Sequence, residues 1–332
     1  MLLEFDSEQR LWRDTVRDAV GKQCPATLIR EVADKDGDPT PLWRSYIDQG
    51  WTELTGDAAA VELAIVLEEL GRATDPTPYL ATMTQFAPLA PEFMQPNLAG
   101  AAVYDGVHAV LDADGWILSG TARYVLDGDR AEQLAVVTGA GVFVVPGSAV
   151  QTSRTAVFDP VLHVAEVRFE GVRVGHDARR TVDVARARQF ACAGMAVTTV
   201  GACRRILDMV LDHVRTRHQF GVPIGSMQAV KHKAADMHVA IERAWALAYF
   251  AALTIAENDP RRALAASMAK AAAGECQDMV FRNGLQLFGA MGFTWENDLQ
   301  FALKRARAGE LMLGGAAEHR ALIVEECRAT AI

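Results

Sequence analysis

Arg217-His218-Gln219-Phe220-Gly221 stands where the most strongly helical part of the chain stops, with Val222-Pro223 directly after it. Two readings compete for these residues. A basic last turn closed by a glycine is an ordinary helix C-terminus, because cations suit the negative helix end and glycine takes the backbone angles of a cap. The same stretch also carries a phosphate-facing set, because a guanidinium offers a planar fork of donors that matches phosphate oxygens. The five residues alone do not separate the two, so the chain on either side has to.

Upstream, 186–217 reads as one long helix with a polar stripe of Arg204, Arg205, Asp208 and Asp212. Downstream, 227–257 forms a second, bounded by Asn258-Asp259-Pro260, and 261–284 a third, with one or two more from about 298. Long helices joined by short connections predict a bundle. Residues 1 to about 95 are helical too. Asp6 or Ser7 can cap the first helix, Pro41-Leu42-Trp43 opens a short second one, and 58–72 is the strongest, ending near Gly71 and Asp75-Pro76-Thr77-Pro78. Between about 100 and 178 the texture changes. Short β-rich runs at 101–104, 108–111, 116–119, 123–126, 134–138, 142–145 and 163–169 alternate with glycine and aspartate turns, which predicts a small barrel or sandwich. The expected division is 1–97, a helical domain; 98–178, a β-domain; and 179–332, a helical bundle. The fold class is α+β.

Composition narrows the function. The 332 residues are half hydrophobic and only 7% aromatic, and the net charge of −9 argues against nucleic acid or an acidic membrane as partner. The five cysteines, Cys24, Cys192, Cys203, Cys276 and Cys327, form no C-x-x-C pair and fit reduced thiols in a cytoplasmic protein. The opening Met1-Leu2-Leu3-Glu4-Phe5-Asp6 has no basic, apolar leader pattern. The apolar run 244–256 is too short to span a bilayer. His232 and His238, six apart, do not align for a metal, and no serine elbow or phosphate-binding loop occurs.

Helices, then a β-unit, then a bundle is an uncommon order, and with the motifs it resembles the acyl-CoA dehydrogenase family over nearly the whole chain. Trp51-Thr52-Glu53-Leu54 and Val66-Leu67-Glu68-Glu69-Leu70-Gly71-Arg72 are similar to that family's N-terminal domain. Gly120-Thr121-Ala122-Arg123-Tyr124-Val125-Leu126 and Val167-Arg168-Phe169-Glu170-Gly171-Val172-Arg173-Val174 resemble its middle β-domain. Arg217 to Gly221 with Gln228 resembles its R-x-x-F-G and downstream glutamine, and Gln286-Leu287-Phe288-Gly289-Ala290-Met291-Gly292-Phe293 its Q-x-x-G-G-x-G turn. The resemblance implies that Arg217, Gln219, Phe220, Gln228, Gln286, Gly289, Ala290 and Gly292 reach across a dimer interface to the pyrophosphate and adenosine of an FAD held mainly by the neighbouring subunit. Gly289 and Gly292 would let backbone approach phosphates closely. Ala290 replaces the second glycine of the family pattern.

Other features depart from the pattern. The family's T-E-x-x-x-G-S-D loop, which lines flavin and substrate, has no counterpart near Gly100-Ala101-Ala102-Val103-Tyr104-Asp105-Gly106. Its flavin-supporting W-x-T aligns with Tyr124-Val125-Leu126, and leucine has no hydroxyl to donate. The implied reaction is α,β-dehydrogenation of an acyl-CoA thioester, in which a carboxylate removes the α-proton while the flavin takes a hydride from the β-carbon. The two base positions of the family align with Leu313 and Ala191, neither of which can take a proton. Glu310, on the expected helix face of Leu313, and Glu318 are the acids left to weigh.

Residues that would serve a neighbour's FAD are kept, and residues that would serve the chain's own flavin are lost. This resembles the smaller, non-catalytic subunit of the actinobacterial α2β2 acyl-CoA dehydrogenases that act on steroid side chains. The resemblance implies a heterotetramer with a paralogous catalytic subunit, an acyl-CoA substrate and electron-transfer flavoprotein as acceptor. Two alternatives stay open: a self-sufficient homo-oligomeric enzyme with an atypical base such as Glu310, and a flavin-free structural or acyl-CoA-binding protein on the same scaffold.

Overall fold

The computed structural model describes residues 4–330; the Met1-Leu2-Leu3 opening, read above as part of a segment without a leader, lies outside the described residues. The chain forms two compact units, Met1–Glu31, Asp57–Asp75 and Cys192–Ile332 in one, and Val32–Gly56 and Pro76–Ala191 in the other. Residues 1–97 therefore do not hold together as a separate helical domain. Their helices are shared out, because each buries its apolar face on whichever partner offers one.

The first unit is helical. α1 (Ser7–Gln23) starts at a capping box in which the Asp6 carboxylate accepts from the Gln9 N–H at 2.8 Å and the Gln9 side chain accepts from the Asp6 N–H at 3.2 Å. α2 (Ala26–Lys35) and α3 (Thr40–Asp48) follow, and α3 with the later part of α2 belongs to the second unit. α4 (Ala60–Ala73) returns to the first unit and packs on α1, with Phe5, Val61, Ile65, Tyr249 and Ala252 in one apolar cluster.

The second unit opens its β part after a helical run in which the turns α5 (Tyr79–Ala81) and α6 (Ala87–Leu89) flank a π-helical turn at Thr82–Phe86. Its strands are β1 (Gly100–Val103), β2 (Val107–Asp112), β3 (Gly115–Leu126), β4 (Gln133–Thr138), β5 (Gly141–Pro146), β6 (Gln151–Arg154) and β7 (Val164–Val174). One sheet runs β1-β4-β5, with β1 and β4 parallel; the other runs β2-β3-β7-β6, all antiparallel. The two sheets share one core, Val103, Leu134, Val136 and Phe143 from one meeting Leu118, Val125, Val167 and Phe169 from the other. This is the sandwich the turn spacing predicts. The far face of the three-stranded sheet is covered as well, by Phe86 and Leu89 against Ala102, Ala135 and Val142.

α7 (Val184–Thr216) runs from the second unit into the first, where α8 (Gln228–Ala256), α9 (Arg262–Phe288), α10 (Leu299–Leu311) and α11 (Ala316–Thr330) complete the bundle. α7 and α8 are long and apolar enough by composition to cross a membrane; most of the apolar window of α7 is buried inside the fold, and a little under half of that of α8.

α4 and α7 cross with backbone against backbone. A Cβ on Gly71 would lie 2.2 Å from the Thr198 carbonyl oxygen, and one on Gly201 would lie 2.1 Å from the Glu68 carbonyl oxygen. Neither neighbour is a flexible side chain that can step aside, so the helices would have to separate. Gly201→Ala should therefore cost about 3 kcal/mol, the upper part of the usual overpacking range, read as a lowered midpoint in denaturant unfolding.

Candidate functional site

The eight candidate cofactor residues gather at one end of the bundle, where α7 stops, α8 starts and α9 stops. Two contacts fix that end. The His213 ring stacks on Phe288 with centroids 4.4 Å apart, tying the last turn of α7 to the last turn of α9. Lys233 Nζ donates to Asn283 Oδ1 at 3.1 Å, tying the start of α8 to the same part of α9. Neither His213 nor Lys233 had been assigned such a role from the sequence; Phe288 lay inside the quoted glycine motif, but its partner is 75 residues away and nothing local marks it.

Arg217 to Gly221 corrects the helix-cap reading. α7 ends at Thr216, and the chain makes a two-stranded hairpin, β8 (His218–Gln219) against β9 (Val222–Pro223), with Gln219 opposite Val222. Phe220 and Gly221 form the two-residue turn, with φ of 53° and 80°. Positive φ at both central positions is a type I′ turn, for which Asn-Gly is the favoured pair. Gly221 is thus the second turn residue and not a helix cap. Phenylalanine in the first position is strained, and its ring is 91% exposed. Arg217 and Gln219 are exposed, and Arg217 pairs with no acid among the described residues. The Arg217 carbonyl accepts from the Ile224 N–H at 2.8 Å, which anchors the base of the hairpin.

Gln228 is the first residue of α8 and is exposed; Met227 before it supplies no side-chain cap. The positive end of a long helix is therefore left open beside the arginine hairpin. On the α9 side Gln286, Gly289 and Ala290 are exposed. Gly289 has φ 61° and ψ −142°, a conformation reserved for glycine, and open space where a Cβ would stand. Gly292 differs from expectation. It is buried, and a Cβ there would press on Leu285 Cδ1 and Phe288 Cβ at 3.1 Å each. Its smallness serves packing of the turn on α9. An open-cornered glycine, an unpaired arginine, an uncapped helix start and an uncovered aromatic fit the phosphate and adenosine end of a dinucleotide.

The positions where a base would stand are filled otherwise. Ala191, at one base position, is fully buried and its methyl cannot take a proton; Leu126, at the flavin-supporting position, is buried at 3% exposure and has no hydroxyl. α10 ends at Leu311, so Leu313 lies beyond the helix, with φ 59°, and the helix-face argument that linked it to Glu310 fails. Its carbonyl accepts from His319 Nε2 at 2.9 Å. Glu310 is turned inward. Its Oε1 accepts from the Ala316 N–H at 3.0 Å, at the start of α11, and Oε2 lies against Gly274, where a Cβ would meet it at 2.0 Å. Lys270, only 1% exposed, donates to the carbonyls of Glu310 at 3.1 Å and Gly314 at 2.7 Å. Burial pulls its pKa below the ordinary lysine value, against the opposing pull of Glu310. One oxygen of the Glu310 carboxylate thus meets the start of α11, while Oε2 is buried with no hydrogen-bond partner. Glu318 is exposed on the first turn of α11, its carboxylate near Gly314. Among the described residues no cluster of His, Cys, Asp or Glu could hold a metal ion.

The profile of the acyl-CoA dehydrogenase C-terminal domain matches residues 184–327. The acyl-CoA dehydrogenase IpdE2 of Mycobacterium tuberculosis is 30% identical over 325 residues, covering 92% of this chain and 93% of that protein. The chain belongs to the acyl-CoA dehydrogenase family. Solved structures agree on the fold. The ChsE4-ChsE5 complex from Mycobacterium tuberculosis contains a chain with a TM-score of 0.88 at 23% identity, covering 99% of both chains. A steroid acyl-CoA dehydrogenase, the Tcur3481-Tcur3483 G363A variant, gives 0.85 at 23% identity, covering 98% of both. At that identity these two speak for the acyl-CoA dehydrogenase fold alone.

His213 gives the site a pH signature. Burial, and then the charge of Arg217, hold its pKa below the ordinary value of 6.5. The unfolded chain therefore takes up the proton first, so this contribution is fully present above about pH 6.5 and is lost as pH falls toward the folded-state value. Thermal melts between about pH 8 and pH 5 should show a drop in Tm that His213→Gln reduces.

Proposed function

We propose that this chain is the cofactor-completing, non-catalytic subunit of a cytoplasmic FAD-dependent acyl-CoA dehydrogenase complex, in which a paralogous partner carries the base and the flavin-facing loop. The observation that carries the proposal is a division within the chain. The bundle end that faces outward keeps an unpaired arginine, an uncovered phenylalanine and an open-cornered glycine. The base positions hold Leu313 and buried Ala191, and Glu310 is turned inward with Oε1 on the start of α11. This arrangement disfavours the self-sufficient enzyme that would have used Glu310.

In the complex, Arg217 would hold a pyrophosphate oxygen bidentately and the open start of α8 would add its positive end. Phe220, already turned outward by the hairpin, would pack on the cofactor and exclude water there. Gln219, Gln228 and Gln286 would supply hydrogen bonds, and the backbone at Gly289 would approach the adenosine end. FAD supplies the hydride acceptor for oxidation of an acyl-CoA to its 2,3-enoyl thioester, and the proton goes to the partner's carboxylate. Two structural neighbours pair two different chains, one of them a steroid acyl-CoA dehydrogenase, which is in keeping with a paralogous partner; the α2β2 assembly and a steroid-like CoA thioester as substrate rest on the family resemblance. Electron-transfer flavoprotein would then reoxidise the flavin.

The arginine and the turn residue test this in different ways. In the co-expressed complex, Arg217→Ala removes a charge-assisted contact of about 1.5–3 kcal/mol, so FAD should dissociate about 10- to 100-fold more readily, read by flavin fluorescence on dilution. Unchanged retention would refute the assignment of the bundle end to FAD. Phe220→Asn relieves the turn and should stabilise the lone chain by up to about 1 kcal/mol in denaturant, yet weaken FAD retention in the complex.

A further inference from the structure

A second cleft opens on the helical unit, with no lining residue among those of the cofactor end. It lies among α1, α2, the end of α4, the middle of α7 and the start of α10, and encloses about 310 Å³. That is about ten waters' worth of liquid volume, enough for a small organic molecule.

Three arginines line it, Arg17, Arg72 and Arg205, together with the acids Glu69 and Asp298. All but one of these charges is matched. Arg17 forms a fork on the buried Glu69 carboxylate, at 2.7 and 3.1 Å. Arg72 reaches Glu69 at 3.4 Å and Asp208 at 2.7 Å. Asp298 is met by Arg30 at 2.7 Å. Arg205 alone has no ion pair or side-chain hydrogen bond among the described residues. The cleft therefore carries one uncompensated positive charge, in a chain whose net charge is −9. Its remaining wall includes Ile29, Met209 and Phe301, with Ile29 and Phe301 each 3% exposed. One cation beside an apolar wall is complementary to one anion beside an apolar body.

We propose that this cleft binds a small amphipathic carboxylate, its carboxylate on the Arg205 guanidinium and its hydrocarbon part on Ile29, Met209 and Phe301. A planar carboxylate suits the fork of the guanidinium, and a single charge satisfies the cleft without breaking the Arg17–Glu69 pair. An inorganic anion would meet the cation but leave the apolar wall wet. The site is independent of the FAD reading, since it shares no residue with the cofactor end.

The test uses the purified full chain and sodium octanoate as probe, with inorganic phosphate as the comparison. Octanoate should raise Tm by a few degrees in a saturable way, and phosphate at the same ionic strength should not. Arg205→Gln should lose the shift and Arg205→Lys should keep part of it. Arg205 is exposed, so these variants should fold; far-ultraviolet circular dichroism checks that they do. Arg217→Ala should keep the whole shift, which separates this cleft from the cofactor end. No shift with octanoate, an equal shift with phosphate, or a full shift in Arg205→Gln would each overturn the proposal.

Discussion

The close crossing of α4 and α7 governs the helical unit. With Gly71 and Gly201 each facing a main-chain carbonyl at a distance that leaves no room for a methyl, the two helices have one separation and one register. α7 is 33 residues long, so its path at that crossing sets where its far end emerges. Arg72 on α4 reaches Asp208 on α7 about two turns further along, and Arg204 on α7 bridges Glu68 on α4 and Glu242 on α8. A rigid α7 then delivers the hairpin of Arg217 to Gly221 at a fixed point, and the His213–Phe288 stack brings the α9 turn to the same place. Function here rests on a packing constraint more than a turn of helix away from the residues that express it.

The polar groups of the chain divide into those that finish their business inside and those that do not. Lys270, Glu310 and His319 are spent on the loop that carries Leu313, where the family would place a base. A buried lysine on two carbonyls and a carboxylate oxygen on a helix start are structural uses. At the other end, Arg217, Gln219 and Gln228 are left in water and Phe220 is held outward at a conformational cost. Strain at an exposed aromatic is the kind of feature that persists when something covers it.

Much of this was legible in the residues because the patterns were strong. The long helices announce themselves by period and by their breakers, and Asn258-Asp259-Pro260 marks the α8–α9 turn within a residue or two. The sandwich follows from turn spacing. β6 was missed because Gln151-Thr152-Ser153-Arg154 is an exposed edge strand with no apolar alternation to read. β3 was taken for two strands because it bulges between Ala122 and Val125, with Tyr124 at positive φ. The division into compact units differs from the expected 1–97, 98–178 and 179–332: α1 and α4 fall with the bundle while α3 falls with the β part, and only tertiary contacts reveal that. At the site, motif spacing found the residues but not their geometry. Arg217 to Gly221 looked like a helix cap because glycine after a basic turn serves caps and hairpins alike, and Gly292 looked like Gly289 because sequence does not distinguish an open glycine from a packed one. Glu310 is a candidate base by sequence position alone, and its inward turn toward the start of α11 is set by tertiary packing that no local pattern carries.

The central claim is that this chain completes a flavin site it does not own. The most direct measurement is the FAD content and acyl-CoA-dependent dye reduction of the chain purified alone and of the chain co-purified with its paralogous partner. The account predicts a colourless, inactive chain alone, and a yellow, active complex with one flavin for each pair of subunits. Stoichiometric FAD with dehydrogenase activity in the lone chain would contradict it.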